Sequence, residues 1–133
     1  MPTRFSLSEP NPGVWFSFDE DDPQSGKICI RLANQAERDK IRKATRTQKE
    51  IFRQGQRFEV EKTNDDLFSE MLWDYCIVDW IDLEDDNGKP IECTKENKLK
   101  LMKEHVGFQL FVGQSIEKLN NEIESRLDLT GKN

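Results

Sequence analysis

The sequence predicts an α+β protein: an N-terminal β-hairpin, with or without a third short strand, packed on a mainly helical C-terminal bundle of three to four helices. Two early segments are rich in β-forming residues, and a turn-forming sequence joins them. Later segments repeat apolar residues every three or four positions, as amphipathic helices do. The chain has 133 residues, including three Trp and eight Phe to fill a core, so we expect a single domain over residues 1–133.

The composition is polar, because 35% of the residues are hydrophobic, 35% are charged and the net charge is −6. Within the domain we expect a flexible segment at 1–13, a hairpin and a basic helix at 14–63, and a helical region at 64–133. No apolar run approaches the ~18 residues needed to cross a bilayer, and the N-terminus lacks the apolar block of a secretory signal. We therefore expect no membrane association and a cytoplasmic location.

The cysteines and the histidine argue against a metal or redox centre. Cys29, Cys76 and Cys93 are an odd number and have no CxxC spacing, so reduced thiols are expected rather than a disulfide framework. His105 is the only histidine, which excludes a site built on a pair of histidines. We therefore expect no metal and no cofactor.

The N-terminal hairpin is predicted from residues 14–18 and 27–32. The first segment contains Val, Trp and Phe, and the second alternates polar and apolar residues. Between them, DEDDPQSG has the residues that turns require. Its acidic residues resemble a calcium loop, but the glycine comes too late and the trailing acidic ligand is missing. A solvated turn is the better interpretation.

A basic segment follows at 38–57, where eight basic and two acidic residues give a local charge of +6. Asn34, with Glu37 three residues later, favours a helix start just before it. The segment is interpreted first as a solvated helix face followed by a flexible connector through Gly55. Two other interpretations stay open, namely contact with nucleic acid and contact with the acidic region described next. Residues 57–61 alternate between charged and apolar side chains, which predicts either the short third strand or an extended lead-in to the next helix.

The strongest helical pattern runs through residues 66–80 and begins at Asn64 or Asp65. Trp73 and Trp80 are seven residues apart, which places them on a similar side of that helix. Aromatic residues at this spacing usually belong to the core, although partial exposure would indicate a partner surface. Residues 64–92 carry ten acidic residues and one basic residue, a local charge of −9, which we interpret as helix capping and solubility.

The segment DLEDDNGKPIECTKENK, residues 82–98, predicts a turn between two helices. If Gly88 took the glycine position of an EF-hand, the first and twelfth ligands would be Leu and Thr, so a calcium loop is rejected. Cys93 precedes a helix start, which favours a lowered thiol pKa and mild reactivity, but it lacks a nearby base for catalysis. Asn87 and Gly88 suit a turn with positive φ, and Thr94 is the expected helix cap.

The last segment predicts a long amphipathic helix from Phe108, which we expect to pack on the 66–80 helix or to support self-association. Its apolar stripe and the side with the two tryptophans are the predicted partner-binding residues. These residues are Trp73, Trp80, Phe108, Phe111, Val112, Ile116 and Leu119.

The central third of the chain resembles the tail assembly chaperone-like proteins of tailed bacteriophages and prophages. In that family, a helix containing Trp precedes a segment of the form D-x-x-G-x-P-[IL]-x-C-T-x-E-N-K. The matching positions here are Trp80, Gly88, Pro90, Cys93, Thr94, Glu96, Asn97 and Lys98.

The resemblance implies a non-enzymatic protein that binds the tape measure protein, and the tail tube protein as a further candidate, in the cytoplasm of a bacterial host. It implies a structural role in the turn and the helix cap for the motif residues. The resemblance also implies self-association in some members. The alternative function is a nucleic-acid-binding or regulatory module that uses the basic segment 38–57. An enzyme using Cys93 or the acidic turn is the least favoured.

Overall fold

A computed structural model describes residues 2–131, including their side chains except at 49, 61–63 and 126–131. Within these residues it contains five strands and four helices, which confirms the predicted α+β class with an N-terminal hairpin and a helical C-terminal part. The strands are β1 (Val14–Ser17), β2 (Lys27–Ile30), β3 (Arg46–Arg53), β4 (Gln56–Thr63) and β5 (Ile77–Ile81). The helices are α1 (Gln35–Ala44), α2 (Asp65–Cys76), α3 (Lys95–Glu104) and α4 (Val106–Gly131).

The predicted N-terminal hairpin is present as β1 and β2, an antiparallel pair in which Phe16 lies opposite Ile28. The third strand of this sheet is β5, which pairs with the other edge of β2 and gives the order β1-β2-β5. The register shifts where Cys29 pairs with Asp79 and Ile30 pairs with Ile77, so Val78 is an extra residue in β5. The middle strand is therefore hydrogen-bonded on both sides, and Ile28 and Ile30 are fully buried.

The prediction of one helix through residues 66–80 is wrong after Cys76, because β5 follows directly. Ile77 and Trp80 are three residues apart, which fits one face of a helix. They also lie on the same inner face of β5, because the extra residue Val78 shifts the alternation of side chains by one. Ile and Val at 77 and 78 favour the strand, since β-branched side chains lose rotamer freedom in a helix. Trp73 and Trp80 consequently lie on different elements.

The predictions for residues 38–61 are also corrected in part. The helix over the basic segment ends at Ala44, and the expected flexible connector is a second antiparallel hairpin, β3–β4. Gln54 and Gly55 form its turn with φ of 54° and 77°, the geometry of a two-residue hairpin turn. Residues 57–61 are extended as predicted, but they pair with β3 rather than with the N-terminal sheet.

The β3–β4 hairpin leaves the rest of the fold at a defined point. The backbone N–H of Asn64 donates to the carbonyl of Thr45 over 2.8 Å, which closes the base of the hairpin. Thr45 is buried, and its hydroxyl donates to the carbonyl of Ile41 in α1. Beyond this base the two strands contact mainly each other.

The core lies between the three-stranded sheet and the two C-terminal helices. The sheet supplies Ile28, Ile30, Ile77 and Trp80, while α3 and α4 supply Met102, Phe108 and Val112. The long C-terminal helix thus packs on β2 and α3, and it contacts the predicted 66–80 region through Phe108 and Trp80. Burying these side chains provides the main favourable free energy of folding.

Candidate functional site

The turn after β5 is built by local hydrogen bonds. The N–H of Asp85 donates to the carbonyl of Lys89 over 2.8 Å, and the N–H of Gly88 donates back to the carbonyl of Asp85. Gly88 has a φ of 77°, as the Asn-Gly sequence predicts. The Asp85 carboxylate accepts from the N–H groups of Asn87 and Lys89, so it stabilises the turn. The junction is therefore strand–turn–helix rather than the predicted helix–turn–helix.

Trp80 attaches this turn to the core. Its indole N–H donates to the carbonyl of Ile91 over 2.7 Å, and its ring meets the edge of Phe108 with the centroids 5.9 Å apart. A second bond, from the N–H of Ile91 to the carbonyl of Leu83 over 2.8 Å, closes the loop between them. Pro90 lies inside this closed loop, where it forms an isolated bridge with Glu84. The first half of the 82–98 segment, together with Trp80, therefore holds a loop over the core.

The second half of the motif starts α3 and joins it to α2. Thr94 caps α3 as predicted, because its hydroxyl accepts from the N–H of Asn97. The Asn97 amide donates to the carbonyl of Glu92 over 2.9 Å. Lys98, which is only 8% exposed, donates from Nζ to the backbone carbonyl of Asp74 over 3.1 Å and to its carboxylate over 3.2 Å.

Lys98 neutralises the partial negative charge at the C-terminal end of α2. The last turn of α2 has no basic residue of its own, although helix carbonyl ends favour a nearby cation. Lys98 supplies that cation from α3, and Arg31 supplies a second by donating from Nε to the carbonyl of Tyr75 over 2.8 Å. The motif lysine is therefore a contact between helices.

The acidic residues of α2 pair with α3 in the same way. Glu70 forms an ion pair with Lys103, and Asp74 forms one with Lys98. Arg42 of α1 lies over the ring of Phe68 in α2, but it is paired with Asp39. Glu70 and Asp74 of α2 thus pair with α3, and contact between the basic segment and the acidic region stays an open interpretation.

Cys93 does not have the lowered pKa expected from its position before a helix. Burial raises the pKa of the Cys93 thiol above its ordinary value, and Asp79 adds to this effect, while Lys98 opposes it. A catalytic or sensing cysteine requires the opposite shift, because the thiolate is the reactive form. The expected lowered pKa is therefore corrected to a raised pKa, and the reactivity of the thiol stays a prediction.

We expect Cys93 to react with iodoacetamide more slowly in the folded protein than in the protein unfolded in urea at the same pH. The physical reason is that burial lowers both the thiolate fraction and access to the sulfur. Mass spectrometry of the alkylated peptides measures the rate at Cys93 separately from Cys29 and Cys76. Faster alkylation in the folded state would mean that the thiol is activated.

The predicted partner-binding residues lie in or against the core. Trp80, Phe108, Val112 and Leu119 are at most 7% exposed. Trp73, Phe111 and Ile116 are half-buried and pack against the same cluster, where Phe111 stacks on Phe18 with the centroids 4.3 Å apart. In this conformation the stripe is covered mainly by the sheet and α3, and its role in partner binding stays a prediction.

A groove beside the motif is the more accessible surface. It has a volume of about 930 Å³, in the range of roughly 300–1,000 Å³ typical of ligand sites. Apolar side chains line its floor, and five carboxylate side chains and Lys100 line its rim. The floor contains Phe18, Leu83, Ile91, Leu101 and Phe108, and the carboxylates are Glu84, Asp85, Asp86, Glu92 and Glu104. We call this surface the acidic groove.

The tip of the β3–β4 hairpin is a second accessible surface. Its sequence FRQGQRF, residues 52–58, is palindromic and carries two phenylalanines and two arginines without an acidic residue. Phe52 is 71% exposed and Phe58 is 45% exposed, which is unusual for phenylalanine. We call residues 52–58 the hairpin tip.

The described residues contain no helix that is long and apolar enough to cross a membrane. They also contain no group of three or more His, Cys, Asp or Glu side chains arranged to hold a metal ion.

A family model described as YdaY prophage protein matches residues 32–133, from just before α1 to the end of the chain. The chain belongs to the YdaY prophage protein family. The matched range contains the β3–β4 hairpin, the motif turn and α2 to α4, whereas β1 and β2 precede it. No curated protein and no solved structure matches this YdaY-family chain. The match confirms the phage or prophage part of the resemblance, and tail assembly remains a prediction.

Proposed function

We propose that this YdaY-family protein is a non-enzymatic tail assembly chaperone-like protein that binds the tape measure protein, and the tail tube protein as a further candidate, in the bacterial cytoplasm. Membership of a prophage family supports the phage context. The motif that resembles tail assembly chaperones supports the finer assignment, and here its residues form a turn, a helix cap and a helix contact. The single observation that carries the proposal is the acidic groove beside that motif.

The groove has the character of a peptide-binding surface. Leu83, Ile91 and Leu101 are only partly buried, so an apolar partner side chain would remove their remaining surface from water. The carboxylates around them attract a basic partner and set its orientation. An amphipathic helix with basic flanks fits both features, since helices bind grooves through a row of apolar anchors.

The test is copurification of helical fragments of the tape measure protein from the same prophage with the tagged full chain. We expect at least one fragment to be retained by the native protein. We also expect retention to fall about tenfold or more in Glu84→Lys/Asp86→Lys/Glu104→Lys, because the rim charge is reversed. Asp85 is left unchanged, since its carboxylate stabilises the turn.

The matched control is Glu117→Lys/Glu122→Lys/Glu124→Lys, which makes the same change of charge on exposed positions of α4 outside the groove. This control should retain the fragment. If both variants lost the fragment equally, the loss would be an effect of net charge, and the acidic groove would not be the binding site. A folded native chain that retains no tail protein fragment would contradict the function itself.

The exposed hairpin tip supports a second candidate, a nucleic-acid-binding module that uses segment 38–57. β-ribbons can enter a groove of DNA, and Arg side chains bind phosphates. This candidate predicts a salt-dependent shift of DNA that disappears in Arg42→Glu/Lys43→Glu/Arg46→Glu. The net charge of −6 opposes it, so we place it second.

A further inference from the structure

We propose that the hairpin tip of one copy of this chain binds the acidic groove of a second copy. The hairpin tip and the acidic groove are both exposed, and they are opposite in charge. Each also combines apolar and charged side chains. The proposal does not rest on tape measure binding, because it is tested with the chain alone.

Each face of the hairpin tip carries one aromatic ring and one cation. The register places Phe52 opposite Arg57 on one face. Phe58 lies opposite Ile51 on the other face, which Arg53 shares because side chains alternate along a strand. Aromatic residues and arginine are enriched in protein interfaces, so the phenylalanines and arginines beside the two-residue turn are suitable anchors.

The cations of the hairpin tip are not used by the body of the chain. Arg57 pairs with Glu50 on the facing strand of the same hairpin. Arg53 has no ion-pair partner among the residues whose side chains the structure describes. The strands of the hairpin contact mainly each other, so nothing on the body covers Phe52.

The acidic groove has the complementary features. Its rim has five carboxylates and one lysine, a charge of −4, so an arginine brought there would gain more attraction than at an average surface site. Its apolar floor, which includes Leu83 and Ile91, is open enough to accept an aromatic ring. Its volume of about 930 Å³ exceeds what a single side chain fills.

The charge distribution favours a second copy over nucleic acid. Residues 46–63 contain five basic and three acidic residues, a charge of +2, so the other residues together carry −8. A phosphate backbone would be attracted by the hairpin but repelled by the larger acidic part. A second copy offers the hairpin an acidic surface, and two copies related by a two-fold axis form the contact twice.

The experiment measures self-association of the full chain by sedimentation as a function of protein and salt concentration. We expect a concentration-dependent dimer that weakens as salt rises, because opposite charges meet in the contact. Arg53→Glu and, separately, Phe52→Ser should each weaken association about tenfold or more. The matched control Lys40→Glu/Lys43→Glu reverses exposed charges on α1 and should leave association unchanged.

A charge-swap pair makes the test specific to the two surfaces. Arg53→Glu and Glu84→Lys/Glu104→Lys should each be mainly monomeric alone, whereas mixing them should restore a mixed dimer, because one of its two contacts is native and the other has the charges exchanged. A native chain that stays monomeric at about 100 µM, equal weakening by the α1 control, or no recovery on mixing would each overturn the proposal. A DNA shift abolished by Arg53→Glu without any dimer would overturn it in favour of nucleic acid. A negative result for self-association leaves the tape measure test unaffected, because that test measures how much of the fragment is retained and not whether the chain dimerises.

Discussion

Replacing Trp80 by alanine is expected to lower the free energy of unfolding by about 3–5 kcal/mol, the usual cost of removing a large buried aromatic side chain. Trp80 is 5% exposed and belongs to the core cluster between the sheet and the two C-terminal helices. The substitution also removes the indole donor to the carbonyl of Ile91, so it frees the motif turn. Urea unfolding followed by circular dichroism measures the change.

The variant Trp80→Phe separates the packing of the ring from the hydrogen bond. It keeps an aromatic ring beside Phe108 but leaves the Ile91 carbonyl without its donor, at an expected cost of about 1–3 kcal/mol. A loss below about 1 kcal/mol for Trp80→Ala would mean that this side chain is not in the core. Such a result would contradict the placement of β5.

Replacing Lys98 by methionine is expected to cost about 1–3 kcal/mol, because the backbone carbonyl of Asp74 loses its hydrogen-bond donor at the end of α2. Methionine has a similar length, so the change removes the ammonium group while preserving most of the packing. Lys98 is largely buried, which limits the ability of water to replace the lost bond. Thermal and urea unfolding measure the cost.

The control for Lys98 is Lys103→Met, five residues further along α3. Lys103 also pairs with an acidic residue of α2, Glu70, but its side chain is 51% exposed. An exposed pair contributes about 0–1 kcal/mol, so the control should be close to neutral. Equal costs for the two variants would contradict the role of Lys98 as a cation that caps α2.

The sequence was sufficient for features that depend on neighbouring residues. The N-terminal hairpin follows from two β-forming segments around a turn, and the structure contains it. The helix starts at Asn34, Asn64 and Thr94 are present because each side chain accepts a bond from a backbone N–H three residues later. The positive φ of Gly88 was predictable for the same local reason.

β5 and β3 were not predicted, the first because its partner strand is distant in sequence and the second because its sequence hides the strand pattern. Residues 77–81 continue an apolar spacing that fits a helix. They form a strand because they pair with β2, which is distant in sequence. In residues 46–53 the many charged side chains hide the strand pattern, and its partner lies beyond a two-residue turn. A glycine interpreted as a connector, Gly55, is in fact a turn residue.

The candidate site was predictable only in part. The motif segment was visible as a turn and a helix cap, but its connections through Trp80 and Lys98 require the folded core. Apart from Phe18, the acidic groove is lined by residues between 83 and 108, which come together only when the motif turn folds against α3 and the start of α4. The predicted stripe on α4 was recognised correctly as apolar, but the fold uses it largely for its own core.

The most direct test of the central claim is calorimetric titration of the full chain with overlapping helical fragments that together cover the tape measure protein of the same prophage. We expect saturable binding of at least one fragment, weakened by Glu84→Lys/Asp86→Lys/Glu104→Lys and unchanged by the matched α4 control. The absence of binding by every fragment, with the chain folded, would contradict the claim.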